Sequence, residues 1–342
     1  MHRDAQRGAT TGILPTPGHS RIDLAHDHGT LSMIGVRMRI LAVGTVTFDV
    51  IGWTDSTFHE DSLTVPLTSL ALTNGGRGAN FAAVVSAMGR EVRLVSSVGT
   101  DFAASTYRAE LASRGIDMSG LFCRDDNPVT PRVFLFNNDN GARVYQYRDR
   151  RPEAEAGFSA WVALQAASWP HDLVYCTSEV PEANEAALRS SPATKIFAPG
   201  HDLRSYPRDC LMECLARTDI LIVNAEEWKF LANGENLPER TADDIEVIVV
   251  TLGSSGCTVH RPTGAERIPA CPPTEMVDPT GAGDAFAGGF AHQILHDQDP
   301  VQAARVGSVV ASFVIESAGC QSGIPTSAQV TRRSETVYPA AT

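Results

Sequence analysis

The sequence predicts an α/β fold: a mostly parallel sheet with crossover helices, and a small side sheet that serves as a lid. Three observations lead there. Short apolar strands alternate with helix-period segments along most of the chain. Two β-rich segments break that alternation, which sets them apart from the main sheet. A small-residue turn, Gly281-Ala282-Gly283, leads into Asp284 where an apolar helix pattern begins.

The elements follow in order. Residues 39–46 read as a buried strand, and 78–88 are small and apolar in helical spacing. Residues 92–98 form the next strand, and 105–114 a helix closed by Gly115. Residues 49–72 are rich in Thr, Ser and β-branched residues. Residues 132–136 and 143–147 alternate in polarity around Asn137-Asn138-Asp139-Asn140-Gly141, and Asn-Gly is a strong hairpin signal. These β segments make the side sheet. Strands then recur at 173–176, 195–198, 220–223 and 245–251, with helices at 182–189 and 208–216. The last two long helices cover 284–295 and 301–315.

Length and composition bound the function. The 342 residues suffice for one large α/β domain or two modest ones. Net charge is −12 and no basic stripe occurs, which argues against a nucleic-acid partner. No apolar stretch is long enough to span a bilayer, so no membrane partner is expected. The seven cysteines include no Cys-x-x-Cys pair. They read as reduced, mostly buried thiols of a cytoplasmic protein. Residues 1–37 lack periodicity and an apolar h-region, so they read as a disordered tail or an upstream start codon, not a secretory signal. The main domain is expected over 38–330, with lid segments at about 49–74 and 129–150, and a C-terminal tail over 331–342.

The chemistry starts at the small-residue turn. Gly281, Ala282 and Gly283 can bring bare backbone N–H groups to an anion, and a helix starting at Asp284 adds its positive dipole end. Asp284 then stands where a hydroxyl proton can be removed beside a stabilised phosphate. Alone, Gly-Ala-Gly-Asp fits a Gly-rich helix start equally well. The full string from Asp278 to Phe290 is far more specific.

Asp278-Pro279-Thr280-Gly281-Ala282-Gly283-Asp284-Ala285-Phe286 closely resembles the C-terminal signature of the ribokinase-like (PfkB) carbohydrate and nucleoside kinases. Gly75-Gly76-Arg77-Gly78-Ala79-Asn80 resembles that family's sugar-binding motif, although Arg77 stands where Lys is more usual. The resemblance runs from about Arg39 to Pro325. It implies a three-layer α/β/α core, ATP as donor and Mg2+ as cofactor. It makes Asp284 the base and the N–H groups of Gly281, Ala282 and Gly283 the anion hole. Asn224 and Glu227 match the family's Asn-x-x-Glu, which places magnesium and nucleotide phosphates, with Glu227 acting through water. The same residues also fit an ordinary helix cap. Thr251, Gly253 and Gly256 resemble the nucleotide-binding turn, and also fit a plain hairpin. Asp49, Gly75, Gly76, Asn80 and Glu179 would contact the sugar, where a carboxylate and an amide suit vicinal diols, and Glu179 fits a helix-start acid before Pro181 equally well. Asp278 and Thr280 match part of a monovalent-cation (K+) site whose other part lies near Gly319 and Gly323. Gly323 departs from the hydroxyl residue frequent there.

The substrate signals disagree. The Gly-Gly motif and Glu179 resemble sugar kinases of the ribokinase type. Residues 196–202 resemble the nucleoside-kinase branch. Arg148-Asp149-Arg150-Arg151 reads either as a solvated loop or as a contact for a sugar phosphate. The expectation is transfer of the γ-phosphoryl of ATP to a primary hydroxyl of a ribose-like sugar. The alternatives are a nucleoside kinase, a sugar-phosphate kinase and a non-catalytic sugar-binding relative. A dehydrogenase is disfavoured, because Phe81 stands where the dinucleotide fingerprint wants Gly or Ala. Lid strands present edges that need cover, so a homodimer through the lid is the suggested assembly.

Overall fold

The computed structural model describes residues 38–57, 64–138, 141–232 and 244–339. The tail expected at 1–37 and the turn residues Asp139 and Asn140 lie outside the described residues.

The strands are β1 (Arg39–Val43), β2 (Thr47–Trp53), β3 (Ser69–Gly75), β4 (Glu91–Val95), β5 (Ser97–Val98), β6 (Phe122–Cys123), β7 (Arg132–Asn138), β8 (Gly141–Tyr147), β9 (Leu173–Cys176), β10 (Thr194–Phe197), β11 (Ile220–Asn224), β12 (Val247–Thr251), β13 (Cys257–Arg261) and β14 (Gly264–Ile268). The helices are α1 (Arg77–Ala87), α2 (Thr106–Ser113), α3 (Pro152–Ser168), α4 (Pro181–Ser190), α5 (Arg208–Leu215), α6 (Ala225–Ala232), α7 (Ala282–Asp297), α8 (Pro300–Val314) and α9 (Ser327–Val337).

Eight strands form the main sheet in the order β14-β13-β12-β11-β10-β9-β1-β4. From β12 to β4 all pairings are parallel, while β13 and β14 join antiparallel. Strand periodicity splits the core in two. Ile40, Ala42, Leu173, Tyr175, Ile220 and Ile222 point to one face, where α1, α2, α7 and α8 pack. Leu41, Val43, Val174, Cys176, Leu221 and Val223 point to the other, against α3, α4, α5 and α6. A sheet buried on both faces needs such near-continuous apolar strands. The result is the expected three-layer α/β/α core.

The lid is a separate four-stranded sheet, β3-β2-β7-β8. β2 runs antiparallel to β3 and parallel to β7, and β7 pairs antiparallel with β8. In register, Asp49 lies beside Thr73 and Val133, and Val133 beside Gln146. Val50 lies beside Leu72 and Phe134, and Phe134 beside Tyr145. Asp49 and Gln146 therefore share one face, and Leu72, Val50, Phe134 and Tyr145 share the other.

Three expectations change. The last-but-one long helix begins at Ala282, not Asp284, because Gly281 takes the N-cap in a left-handed conformation (φ 81°). The segment expected as a C-terminal tail over 331–342 is instead helical up to Val337. A capping box between Thr326 and Gln329 starts that helix, α9, and Val330 buries against the neighbouring helices. Helix α3 was not anticipated; Phe158, Val162 and Ala166 anchor it to the sheet. All seven cysteines are free thiols, with Cys123 exposed and the others buried.

Helix α7 sits close to its neighbours. A Cβ on Gly288 would fall 2.6 Å from Val84, and one on Gly289 would fall 3.0 Å from the Gly307 backbone. Glycine at both positions lets α7 touch α1 and α8 backbone-close.

Candidate active site

The named side chains gather at the carboxyl ends of the parallel strands. β1 ends before Gly44-Thr45, β9 before Thr177-Ser178-Glu179, β10 before Ala198-Pro199, and β11 at Asn224. In open α/β sheets this edge is where ligands bind, since the connections there diverge to leave a crevice.

Asp284 stands in the first turn of α7. Asn80 of α1 donates its amide to Asp284 Oδ2 at 2.8 Å, and its own Oδ1 accepts from Gln321 Nε2 at 3.0 Å. Gln321 also reaches the Tyr107 hydroxyl, which donates to the Gly75 carbonyl at 2.8 Å. A hydrogen-bonded line thus runs from the end of lid strand β3 to Asp284. Burial pushes the Asp284 carboxyl up to about 6, against the Asn80 hydrogen bond and the Arg77 charge. The N–H groups of a first helical turn lack intrahelical acceptors. That of Ala282 leans on Pro279 O at a long 3.3 Å, and a side chain at Gly283 would point into open space beside it.

Arg77 is the positive centre of the crevice. It donates to Pro199 O at 2.7 Å and Asp202 Oδ2 at 2.6 Å. Burial disfavours its charge, but Asp202, Glu179 and Asp284 together raise its pKa. Asp49 reaches in from the lid. Burial raises its carboxyl to about 6, opposed by the Thr47 hydroxyl donating at 2.6 Å. A Cβ at Gly75 would lie 2.1 Å from Asp49 Oδ2, so glycine there makes room for the carboxylate. Glu179 is 7 % exposed. Burial and then Asp202 raise its pKa, with Arg77 and Arg148 opposing.

Asn224 and Glu227 form a reciprocal cap. Asn224 Oδ1 accepts from the Glu227 N–H at 2.9 Å, and the two Glu227 oxygens accept from Asn224 N at 2.9 Å and Nδ2 at 2.7 Å. Burial raises the Glu227 pKa against these contacts and the Arg77 charge. Thr251 pairs with Asn224 across β11 and β12. Gly253–Ser255 is a tight turn that closes the β12–β13 hairpin, and Gly256 follows with φ 88°. No hydrogen bond among the described residues ties this turn to the Asp284 group. Asp278 accepts from Thr280 N at 2.9 Å and Gly319 N at 3.0 Å. Burial works against its charge, but these bonds hold its carboxyl below the usual range. A Cβ on Gly323 would fall 2.6 Å from Ser317 Oγ, which explains why no hydroxyl residue stands there.

The structure therefore brings Glu179 and Asp284 around Arg77, with Asn80 on Asp284 and Asp49, beside Gly75, within electrostatic reach of Glu179. Sequence reasoning missed the Arg77–Asp202 ion pair and the Tyr107–Gln321 link. The only signal was Arg77 in place of Lys. The cluster 148–151 is not simply a solvated loop, because Arg148 pairs with Glu155, and Arg151 with Asp149 and Asp126.

A three-layer α/β fold with a lid, a carboxylate at a helix N-terminus and a polar crevice at the strand ends defines a small-molecule phosphotransferase with an alcohol acceptor. Residues 37–327 match the pfkB family of carbohydrate kinases, and the chain belongs to that family. It is 33% identical over 308 residues to a nucleoside kinase of Methanothermobacter thermautotrophicus, covering 86% of this chain and 94% of the relative. It is 29% identical to an ATP-dependent ribose-1-phosphate kinase of Halopiger xanaduensis, covering 83% and 94%. The solved nucleoside kinase of Methanocaldococcus jannaschii, an archaeal member of the ribokinase family, superposes with TM-score 0.77 at 26% identity, covering 88% and 100%. The chain is thus a sugar or nucleoside kinase of the ribokinase family. No helix among the described residues is long and apolar enough to cross a membrane.

Proposed function

We propose that the chain transfers the γ-phosphoryl group of ATP to the primary hydroxyl of a ribose-like sugar unit. The observation that carries this is Asp284, raised to about 6 by burial and held by Asn80 at the N-terminus of α7. Asp284 accepts the hydroxyl proton as the oxygen bonds to phosphorus and ADP leaves. The backbone N–H groups of Gly281, Ala282 and Gly283 face the charge on the transferring group. Phosphoryl transfer asks for this positioning and electrostatics rather than covalent help. Asp49, Asn80 and Glu179 supply acceptors and a donor for sugar hydroxyls, with Gly75 and Gly76 giving the lid strand access.

Thr251, Gly253 and Gly256 line the nucleotide side, next to Asn224 on the adjacent strand. Magnesium would neutralise charge on the nucleotide phosphates. Each Glu227 oxygen already accepts one N–H, which leaves lone pairs for a metal-bound water. Asn224 and Glu227 therefore fit a water-mediated role. Each Asp278 oxygen accepts one N–H, from Thr280 and from Gly319, and Gly323 has no space for the hydroxyl side chain that would complete a cation site. Asp278 thereby ties the loop before α7 to the loop at Gly319.

A nucleoside acceptor is the second reading, favoured by relatives of that activity over nearly the whole chain. The test is ADP release from ATP over a panel of pentoses, hexoses, their phosphates and ribonucleosides. Turnover on a ribosyl compound supports the proposal. Turnover confined to hexoses, or none at all, defeats it.

The outer lid face favours a homodimer through the lid. Leu72 is 76% exposed, Leu70 59% and Tyr145 55% on that small sheet. Such a patch on a soluble protein marks an interface.

A further inference from the structure

Beyond Glu179 the crevice opens into a cavity of ≈ 350 Å³. Gln146, Arg148, Arg150, His201, Arg204 and Ser205 line it, and Glu179 and Asp202 close its inner end. The volume admits either a nucleobase or a phosphoryl group, so size does not choose between them. The lining does. Among the described residues its only ring is the His201 imidazole, which Gln146 already engages at 2.9 Å, and no aliphatic side chain lines it to seat a base.

Asp202 is taken by Arg77 at 2.6 Å, and Arg148 by Glu155. Asp149 and Asp126 are taken by Arg151. Among the described residues, Arg150 and Arg204 make no ion pair with a carboxylate; Arg204 lies over the Phe230 ring at 5.1 Å. Arg150 and Arg204 therefore line this cavity against one carboxylate without an ion pair, Glu179, which leaves the lining a net positive charge in a chain whose net charge is −12. Gln146 and His201 meet at 2.9 Å on the same wall and add neutral polar groups.

We infer that this cavity is an anion subsite in which Arg150 and Arg204 hold a phosphate ester carried by the acceptor, at the end of the sugar remote from Asp284. The inference rests on the sugar-kinase reading above and narrows its substrate to a ribosyl phosphate. Glu179, between the cavity and Asp49, is left to the sugar hydroxyls. Guanidinium suits the role because its planar fork meets phosphate oxygens in pairs.

The test is calorimetric titration of the full chain with ribose, ribose 1-phosphate and inosine, beside turnover of each with ATP. Ribose 1-phosphate is expected to bind about tenfold or more tighter than ribose, as charge-assisted hydrogen bonds allow. That ratio is expected to collapse toward one in the double variant Arg150→Ala/Arg204→Ala, with thermal melting used to check folding. Raising salt on the unaltered protein should shrink the same ratio, because the cavity is open to screening. Equal binding of ribose and its phosphate, or an advantage that survives the double variant, overturns the subsite. Turnover of ribose or inosine in that case leaves the kinase reading standing. Arginine-dependent binding with no turnover of any acceptor keeps the subsite and sinks the kinase reading.

Discussion

The main sheet and the lid sheet draw on similar residues and end in opposite states. Leu41, Ala42, Val43, Leu94 and Leu173 are 0% exposed between two helix layers. Leu70, Leu72, Val144 and Tyr145 of the lid are all more than half exposed. Among the described residues no helix layer covers the lid's outer face, while its inner face carries Asp49, Val144 and Gln146. The difference divides the labour. The sealed sheet fixes Asp284 and Asn80 through α7 and α1. The open sheet turns Asp49 toward the crevice and leaves its other face exposed. Closing of such an element over bound substrate excludes water from the phosphoryl group.

The sharpest test of this division is Asp284→Asn. Turnover should fall roughly 10²–10⁴-fold, the range for loss of a positioned general base. Folding should not suffer. The folded Asp284 pKa, about 6, lies above its ordinary value of 3.8, so the folded state binds more protons between those pH values. Its contribution to stability is therefore lost as pH rises through that window. Removing the charge should stabilise the protein by about 1–2 kcal/mol at neutral pH in urea unfolding. A destabilised variant would mean that Asp284 serves the fold instead.

Next in size is a matched pair of truncations. Leu94→Ala empties a sealed position and should cost about 2–5 kcal/mol in urea unfolding. Leu72→Ala on the lid should stay within about 0.5 kcal/mol of zero in the monomer. It should instead weaken self-association in sedimentation velocity. Equal losses for the two variants would erase the contrast between the sheets. A chain that is monomeric before substitution would remove the lid dimer.

The smallest expected effect is on the pH profile. Asp284 and Asp49 are both raised to about 6, one on the sealed side and one on the lid. With both ionised in the active form, kcat/KM should fall with a limb near pH 6 steeper than one proton accounts for. Asp49→Asn should reduce that slope to a single proton. A limb near pH 4 would show that neither group is desolvated in the working enzyme.

Much of this was legible in the sequence because it is local. The strand at 173–176 and the lid hairpin follow from period-two patterns and turn residues that lie next to one another. The Gly281 turn announces itself through neighbours. Helix α3 was not legible, since Trp161 and Leu164 interrupt a clean polar face and an arginine cluster precedes it. The links that shape the crevice were hidden for another reason. Arg77 and Asp202 are 125 residues apart, and Gln321 and Tyr107 are 214 apart. Such partners are chosen by the fold, and no local pattern marks them.

The backbone-close seating of α7 has a practical corollary for redesign. A methyl group added at Gly288 or Gly289 would lever the whole helix away from α1 and α8, displacing Asp284 from Asn80 about a turn further up. An engineer seeking a new acceptor should treat those glycines as untouchable foundations. Diversity belongs on the opposite bank, at Gln146, Arg150 and Arg204, which line the outer cavity and can be varied to change the acceptor without moving α7.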